Sequence, residues 1–339
     1  MKVASNMLTV TLTLIILALL SIPALAVLRA QGDGAAAAAI APHAATQTFG
    51  VYIDPWHVPQ WSRAIGAAPQ MVAKFEAFSR KRTIGPFLDE AQRQGIRQAL
   101  VSWEPWEPVP ARLGITLQYL PQPGYRNAEI AAGAQDAYIR RFARRLERFH
   151  GVVWLRYAHE MNGIWYPWSH GPRAYVRAWR HVVGLVRSIA PNARFVWSAN
   201  PSLYERARAW RRSLRQYWPG ARWVDAVGST MIDFGGRKSY PVARFVPRLR
   251  ALRRWFRKPV IIAEANTDAD GRVAWLRDFR TMLRGMPWIT AVAWSQLPSR
   301  GTAQMRGLAG RLDWDVQRDP PAAAQLRGIV RDGWRPGPA

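Results

Sequence analysis

The chain has 339 residues, 49% of them hydrophobic, enough for one large or two average globular domains with a real core. It contains no cysteine, which excludes disulfides, zinc-thiolate sites and cysteine nucleophiles together. Its net charge is +26, yet the basic residues are spread over many segments and no nucleic-acid motif is present, so nucleic acid is not the expected partner.

In chain order, Met1-Lys2 is a short basic start and Met7 to Leu20 is almost continuously apolar. Ser21-Ile22-Pro23-Ala24-Leu25-Ala26 then offers an Ala-x-Ala cleavage pattern. Residues 1–28 are read as a signal peptide or signal anchor, and 29–48 as an Ala-rich linker. The expected location is secreted or membrane-anchored, outside the cytoplasm.

From residue 49 to 332 strand-like and helix-like runs alternate, the pattern of parallel βα units. Strands are predicted at 49–53, 72–78, 97–103, 152–159, 194–198, 224–230, 260–263 and 289–294. Helices are predicted at 84–94, 131–150, 173–189, 204–217, 245–256, 273–284 and 321–330, the sixth of them with a capping role for Asp270 at its start. Eight such units predict an α/β fold, a single (β/α)8 TIM barrel. A doubly wound sheet would want a glycine-rich turn after the first strand, and Asp54-Pro55-Trp56-His57 is not one.

A parallel barrel places its chemistry at the C-terminal strand ends. Glu160 closes the fourth apolar run and Glu264 the seventh. Two carboxylates so placed are the minimum equipment for cleaving a glycosidic bond, and the bland alternative for each is a structural ion pair, for Glu160 with Arg156 or another arginine. Asp54 and Glu104 also lie at strand ends, where each would bind sugar hydroxyls or pair with arginine. His159 beside Glu160 would orient a carboxylate, hold a hydroxyl or simply bond to backbone. Asn200 follows the fifth strand as a further substrate contact. Trp103, Trp165, Trp168 and Trp294, with Trp56 and Trp106, cluster at predicted strand ends, where indole faces suit sugar rings. His159-Glu160 lacks the second histidine of a metalloprotease helix, because Gly163 stands there. Asn266 to Gly271 resembles half a calcium loop but has Arg277 where the final glutamate belongs. No metal and no cofactor are expected.

Arg156-Tyr157-Ala158-His159-Glu160-Met161-Asn162-Gly163, followed by Trp165 and Trp168, resembles the acid/base region of glycoside hydrolase family 26, the β-mannanase family. Ile261-Ile262-Ala263-Glu264-Ala265-Asn266 resembles its nucleophile strand. The resemblance implies a (β/α)8 barrel with retaining chemistry, Glu160 as acid/base, Glu264 as nucleophile, and His159 and Trp165 as their partners. One departure is visible. The family usually carries a tyrosine near the end of the sixth strand, in contact with the nucleophile. Here that strand reads Val227-Gly228-Ser229-Thr230-Met231, and Tyr240 comes later. The function expected is a retaining endo-β-glycanase acting as a monomer on β-mannan or a related polysaccharide. The alternative is a non-catalytic polysaccharide-binding barrel associated with exopolysaccharide synthesis or export. An anionic cell-surface polymer or a membrane surface is a further expected partner of the basic shell.

Overall fold

The computed structural model describes residues 47–79, 83–108, 122–235, 239–296 and 313–333. The signal or anchor segment and nearly all of the linker lie outside the described residues. Eight strands close into a parallel barrel in strict chain order: β1 (Thr48–Tyr52), β2 (Met71–Ala77), β3 (Gln98–Glu104), β4 (Val152–Tyr157), β5 (Ala193–Ala199), β6 (Ala226–Asp233), β7 (Val260–Thr267) and β8 (Ile289–Trp294). The expected TIM barrel is the observed fold. The helices are α1 (Val58–Ile65), α2 (Ile84–Arg93), α3 (Asn127–Ala131), α4 (Asp136–Glu147), α5 (Pro172–Arg187), α6 (Ala207–Tyr217), α7 (Val246–Phe256), α8 (Arg272–Arg284) and α9 (Pro320–Asp332).

The two-residue period of each strand divides its side chains between two layers. Tyr52, Met71, Ala73, Leu100, Val196 and Ile261 belong to the inner cluster. Val51, Val101, Leu155, Trp197, Val227 and Ile262 face outward into the larger cluster under the helices. Lys74 and Glu76, which interrupt β2, alternate with inward-packed Phe75. They pair with each other at 2.8 Å, Glu76 accepts from the Thr83 hydroxyl, and Lys74 lies over the Phe87 ring of α2. Two charges are therefore tolerated on the covered face because each has a partner.

Several boundaries move. α1 is a helix that the Pro- and His-rich stretch after β1 concealed. Its buried side chains, Val58, Trp61 and Ile65, fall three and four residues apart, and Gly66 ends it at φ 78°. The helix predicted over 131–150 begins only at Asp136, since Gly133 turns the chain at φ 94° after the short α3. Asp270 does not cap α8, because Gly271 occupies that position with no side-chain cap.

Candidate active site

β4 ends at Tyr157, and the chain then turns sharply. Ala158 and Glu160 take φ of 42° and 52°, a left-handed conformation that costs an L-residue about 1–2 kcal/mol. Neighbouring strands hold the turn. The Ala158 amide donates to the Trp103 carbonyl at 3.0 Å, and that of Glu160 to the Ser198 carbonyl at 2.8 Å. The result aims the Glu160 carboxylate over the barrel mouth. Its Oε1 accepts from the Thr230 hydroxyl at 2.5 Å, and its Oε2 from Trp165 Nε1 at 3.0 Å. Gly163 makes that second contact sterically feasible, since a Cβ there would lie 2.5 Å from the Trp165 ring.

Glu264 reaches the mouth by a different device. It lies inside β7 and does not end it. Ile261 and Ala263 belong to the inner cluster, so strict alternation would send Glu264 out among the helices with Ile262. The pairing with β6 instead skips one residue. Ser229 is opposite Ile262, and Thr230 is opposite Glu264. This bulge at Ala263 shifts the phase and brings the carboxylate inward beside Thr230.

Arg156 joins the two. It is fully buried, one position inside the end of β4. Its Nε donates to Ser198 Oγ at 3.0 Å, its Nη2 to Thr230 Oγ1 at 2.8 Å, and its Nη1 to Ser102 Oγ at 3.2 Å and Glu264 Oε2 at 3.1 Å. A guanidinium only donates, so Thr230 accepts from it and must direct its own proton to Glu160. The ion pair weighed for Glu160 therefore belongs to Glu264, and Glu160 is reached through Thr230. Burial holds the Glu264 carboxyl above the ordinary carboxylate range against the pull of Arg156, and the charge of Glu160 adds to the rise. Below, the Tyr52 hydroxyl donates to the Ala263 carbonyl at 2.9 Å and lies 2.9 Å from Ser102 Oγ, fixing the bulge from inside the barrel.

An aromatic wall backs Glu160. His159 is buried, with Nε2 3.1 Å from the Tyr166 hydroxyl. Burial first, and then Arg156, push its pKa well below the usual histidine value, so the ring is neutral near pH 7. Tyr166 stacks on Trp168 with centroids 4.2 Å apart. Burial and the charges of Glu160, Glu104 and Glu264 hold its phenol well above the normal range, so it stays protonated and able to donate. Glu104 sits on the same wall, its Oε2 accepting from Trp106 Nε1 at 3.1 Å.

Of the residues expected to bind substrate, Glu104, His159 and Trp165 gather around the pair. The others have different placements. Trp103 and Trp294 face outward from the barrel and are fully buried, Trp103 stacked on Phe142 and Trp294 edge-on to Trp275. Trp168 is buried, with Nε1 donating to the His159 carbonyl at 2.7 Å. Trp168 braces the wall, Trp103 and Trp294 pack in the helix layer, and none of the three offers a free face, which corrects the expectation of sugar stacking. Asp54 is exposed just beyond the end of β1. Asn200 is half-buried and ties the loop after β5 to the loop after β4. Its amide donates to Asn162 Oδ1 at 2.9 Å, and its carbonyl accepts from Asn162 and Trp210. Arg156 was legible only as an ion-pair partner, and Thr230, Tyr166, Tyr52, Ser102 and Ser198 were not singled out. The one available signal was the lone arginine within Val152-Val153-Trp154-Leu155-Arg156-Tyr157, since a charge in a buried strand requires partners.

Residues 131–273, which contain both glutamates, match the sequence model described as glycosyl hydrolase family 26. This segment is glycoside hydrolase family 26 sequence. Endoglucanase H of Acetivibrio thermocellus is 26% identical over 266 residues, covering 74% of this chain. The chain spans about a quarter of that relative, 26% of its length. Among solved structures, GH26C of Muricauda sp. MAR_2010_75 superposes with a TM-score of 0.63 at 13% identity, covering 86% of this chain and 87% of the other. The catalytic domain of a GH26 endo-beta-1,4-mannanase from Bacillus sp. JAMB-750 gives 0.59 at 13%, covering 85% and 89%. At such identity these likenesses concern the fold. No tyrosine stands in the sixth strand, which carries Thr230 and Met231 toward its end. Tyr240 is engaged elsewhere, with its ring edge-on to Phe245, Arg244 over it at 5.3 Å, and its amide on Asp233.

Proposed function

We propose that the chain is a retaining endo-β-glycanase that hydrolyses β-mannan or a related β-linked polysaccharide. The observation that carries the reading is the joining of Glu160 and Glu264 through Thr230 and Arg156 at the C-terminal mouth of the barrel. Arg156 binds Oε2 of Glu264 and leaves Oε1 without a hydrogen-bond partner among the described residues, as an attacking oxygen requires. In the proposed reaction Glu264 bonds to the anomeric carbon while the bond to the leaving oxygen breaks, and Glu160 gives that oxygen its proton. Glu160 then takes a proton from water, the water oxygen bonds to the same carbon, and Glu264 departs. The half-buried Trp165 is the ring placed to meet a sugar beside Glu160.

The test is a panel of soluble β-glycans (mannan, glucomannan, xylan, mixed-linkage glucan) assayed for new reducing ends. Binding without cleavage of any of them transfers the proposal to the polysaccharide-binding alternative. The pH profile on the best substrate gives a second check. A carboxylate attacks only when ionised, and Glu264 ionises above the ordinary carboxylate range. We predict that kcat/KM rises with pH through that elevated value and does not reach its plateau near pH 4.5; a flat profile down to pH 4 contradicts it.

We also propose an extracytoplasmic location, supported by the apolar run Met7 to Leu20 and the Ala24-x-Ala26 pattern. If the segment is a cleaved signal, N-terminal sequencing of exported protein should begin at or near Val27. Recovery from the cytosol with Met1 in place refutes the proposal.

A further inference from the structure

α6 and α7 form a side of the barrel with no carboxylate of its own. No Asp or Glu occurs between residues 206 and 224, nor between 239 and 263. The helices meet through Trp210 and Trp255, whose ring centroids lie 5.4 Å apart. Arg248 of α7 lies over Trp210 at 4.6 Å, and Arg211 of α6 lies over Trp255 at 5.1 Å. Outside this seam α6 exposes Arg208, Arg212 and Arg215, which with Arg211 and Gln216 line one cleft. α7 adds exposed Arg250, Arg253 and Arg254.

Some arginines elsewhere on the barrel pair with acids, as in Arg187–Asp225 at 2.9 Å and Arg280–Asp332 at 2.6 Å. Among the described residues no ion pair involves α6 or α7. The arrangement also works against the helix. Arg208 and Arg212, and likewise Arg211 and Arg215, stand four residues apart, where like charges destabilise by about 0.2–0.5 kcal/mol per pair. The fold gains nothing visible from this repulsion, because α6 is anchored by Trp210, Leu214 and Tyr217 on its opposite side. An anion laid along the cleft removes the repulsion, and guanidinium forks match carboxylates two bonds at a time.

We propose that the α6–α7 face binds an acidic polysaccharide, one carrying carboxylates along its chain, at a place separate from the catalytic mouth. The choice of polysaccharide rests on the proposed glycan-directed function; the anionic chemistry does not. None of the exposed large hydrophobic residues (Trp56, Ile164, Tyr204 and Val273) lies on either helix, so the face has nothing to insert into a bilayer. Trp210 is buried and Trp255 is covered by Arg211, so no open ring is offered to a nucleic-acid base.

The test measures binding, not turnover, so failure of the glycanase reading leaves it intact. Polygalacturonate is the probe, with neutral glucomannan, phosphatidylglycerol vesicles and duplex DNA beside it, in 50 and 300 mM salt. The variant R208Q/R212Q/R215Q leaves Arg211 on its tryptophan. The control R140Q/R144Q/R148Q removes the same charge from exposed positions on α4 and at its C-terminal cap. Both should melt no lower than the parent, since each removes like-charge pairs four residues apart. We expect polygalacturonate to bind the parent in low salt and to weaken in high salt. The α6 variant should lose about tenfold in affinity beyond the α4 control, as expected for three surface contacts of about 0.5 kcal/mol each. Equal weakening by the two variants overturns the proposal, because the charge then acts as a diffuse shell. Binding of the vesicles or the DNA in preference to polygalacturonate also overturns it.

Discussion

Glu264→Ala should lower turnover by more than about 10³-fold, because it removes the group proposed to form the covalent intermediate. It also vacates space beside the anomeric carbon. Added azide should enter from that face and yield a glycosyl azide of inverted configuration. Glu160→Ala should behave differently. The nucleophile remains, held by Arg156, so substrates with good leaving groups still form the intermediate. Water then attacks without a base, and azide, which needs none, should give a product of retained configuration. Product stereochemistry by NMR reads both outcomes. Near-normal activity of either variant on the natural polysaccharide contradicts the assignment. Interchanged azide products reverse the two roles.

The second large effect is expected at Arg156. It is fully buried and donates to four groups on β3, β5, β6 and β7. Replacing it with methionine keeps much of the volume but leaves Glu264 a buried carboxylate without its cation. Breaking a buried pair this way costs roughly 3–5 kcal/mol. Urea unfolding of Arg156→Met should show a loss of that size, together with loss of activity, since both carboxylates lose their orientation. The double variant Arg156→Met, Glu264→Gln should be more stable than Arg156→Met alone, because no uncompensated charge then stays buried. If the double variant is no more stable than the single one, the pair is not the source of the loss, and the serine and threonine contacts are.

Much of the fold was legible in the sequence. Alternating apolar runs and amphipathic segments defined eight βα units, because burial on both faces of a parallel strand requires near-continuous hydrophobicity while the outer helices need only one apolar stripe. The placement of Glu160 and Glu264 at the C-terminal ends of the fourth and seventh runs followed from the same pattern, whereas the resemblance to family 26, which the match of residues 131–273 supports, rested on the motifs around the two glutamates. α1 was missed because Pro55-Trp56-His57 just before it and Pro59 in its first turn read locally as a loop. The inside of the site depended on tertiary structure. Which face of β7 carries Glu264 is set by a bulge against β6, and no local pattern in Val260 to Thr267 reveals one. Trp103 and Trp294 looked like sugar platforms by position, but strand phase turns them outward into the helix layer. Arg156, Thr230 and Ser198 lie on three different strands, and their shared hydrogen bonds exist only because the closed barrel points those side chains at one another. Sequence by itself determined the order of the eight strands and of most of the helices between them, since this depends on local burial. Partnership and orientation depend on register between strands far apart in the chain, and that was decided when the barrel closed.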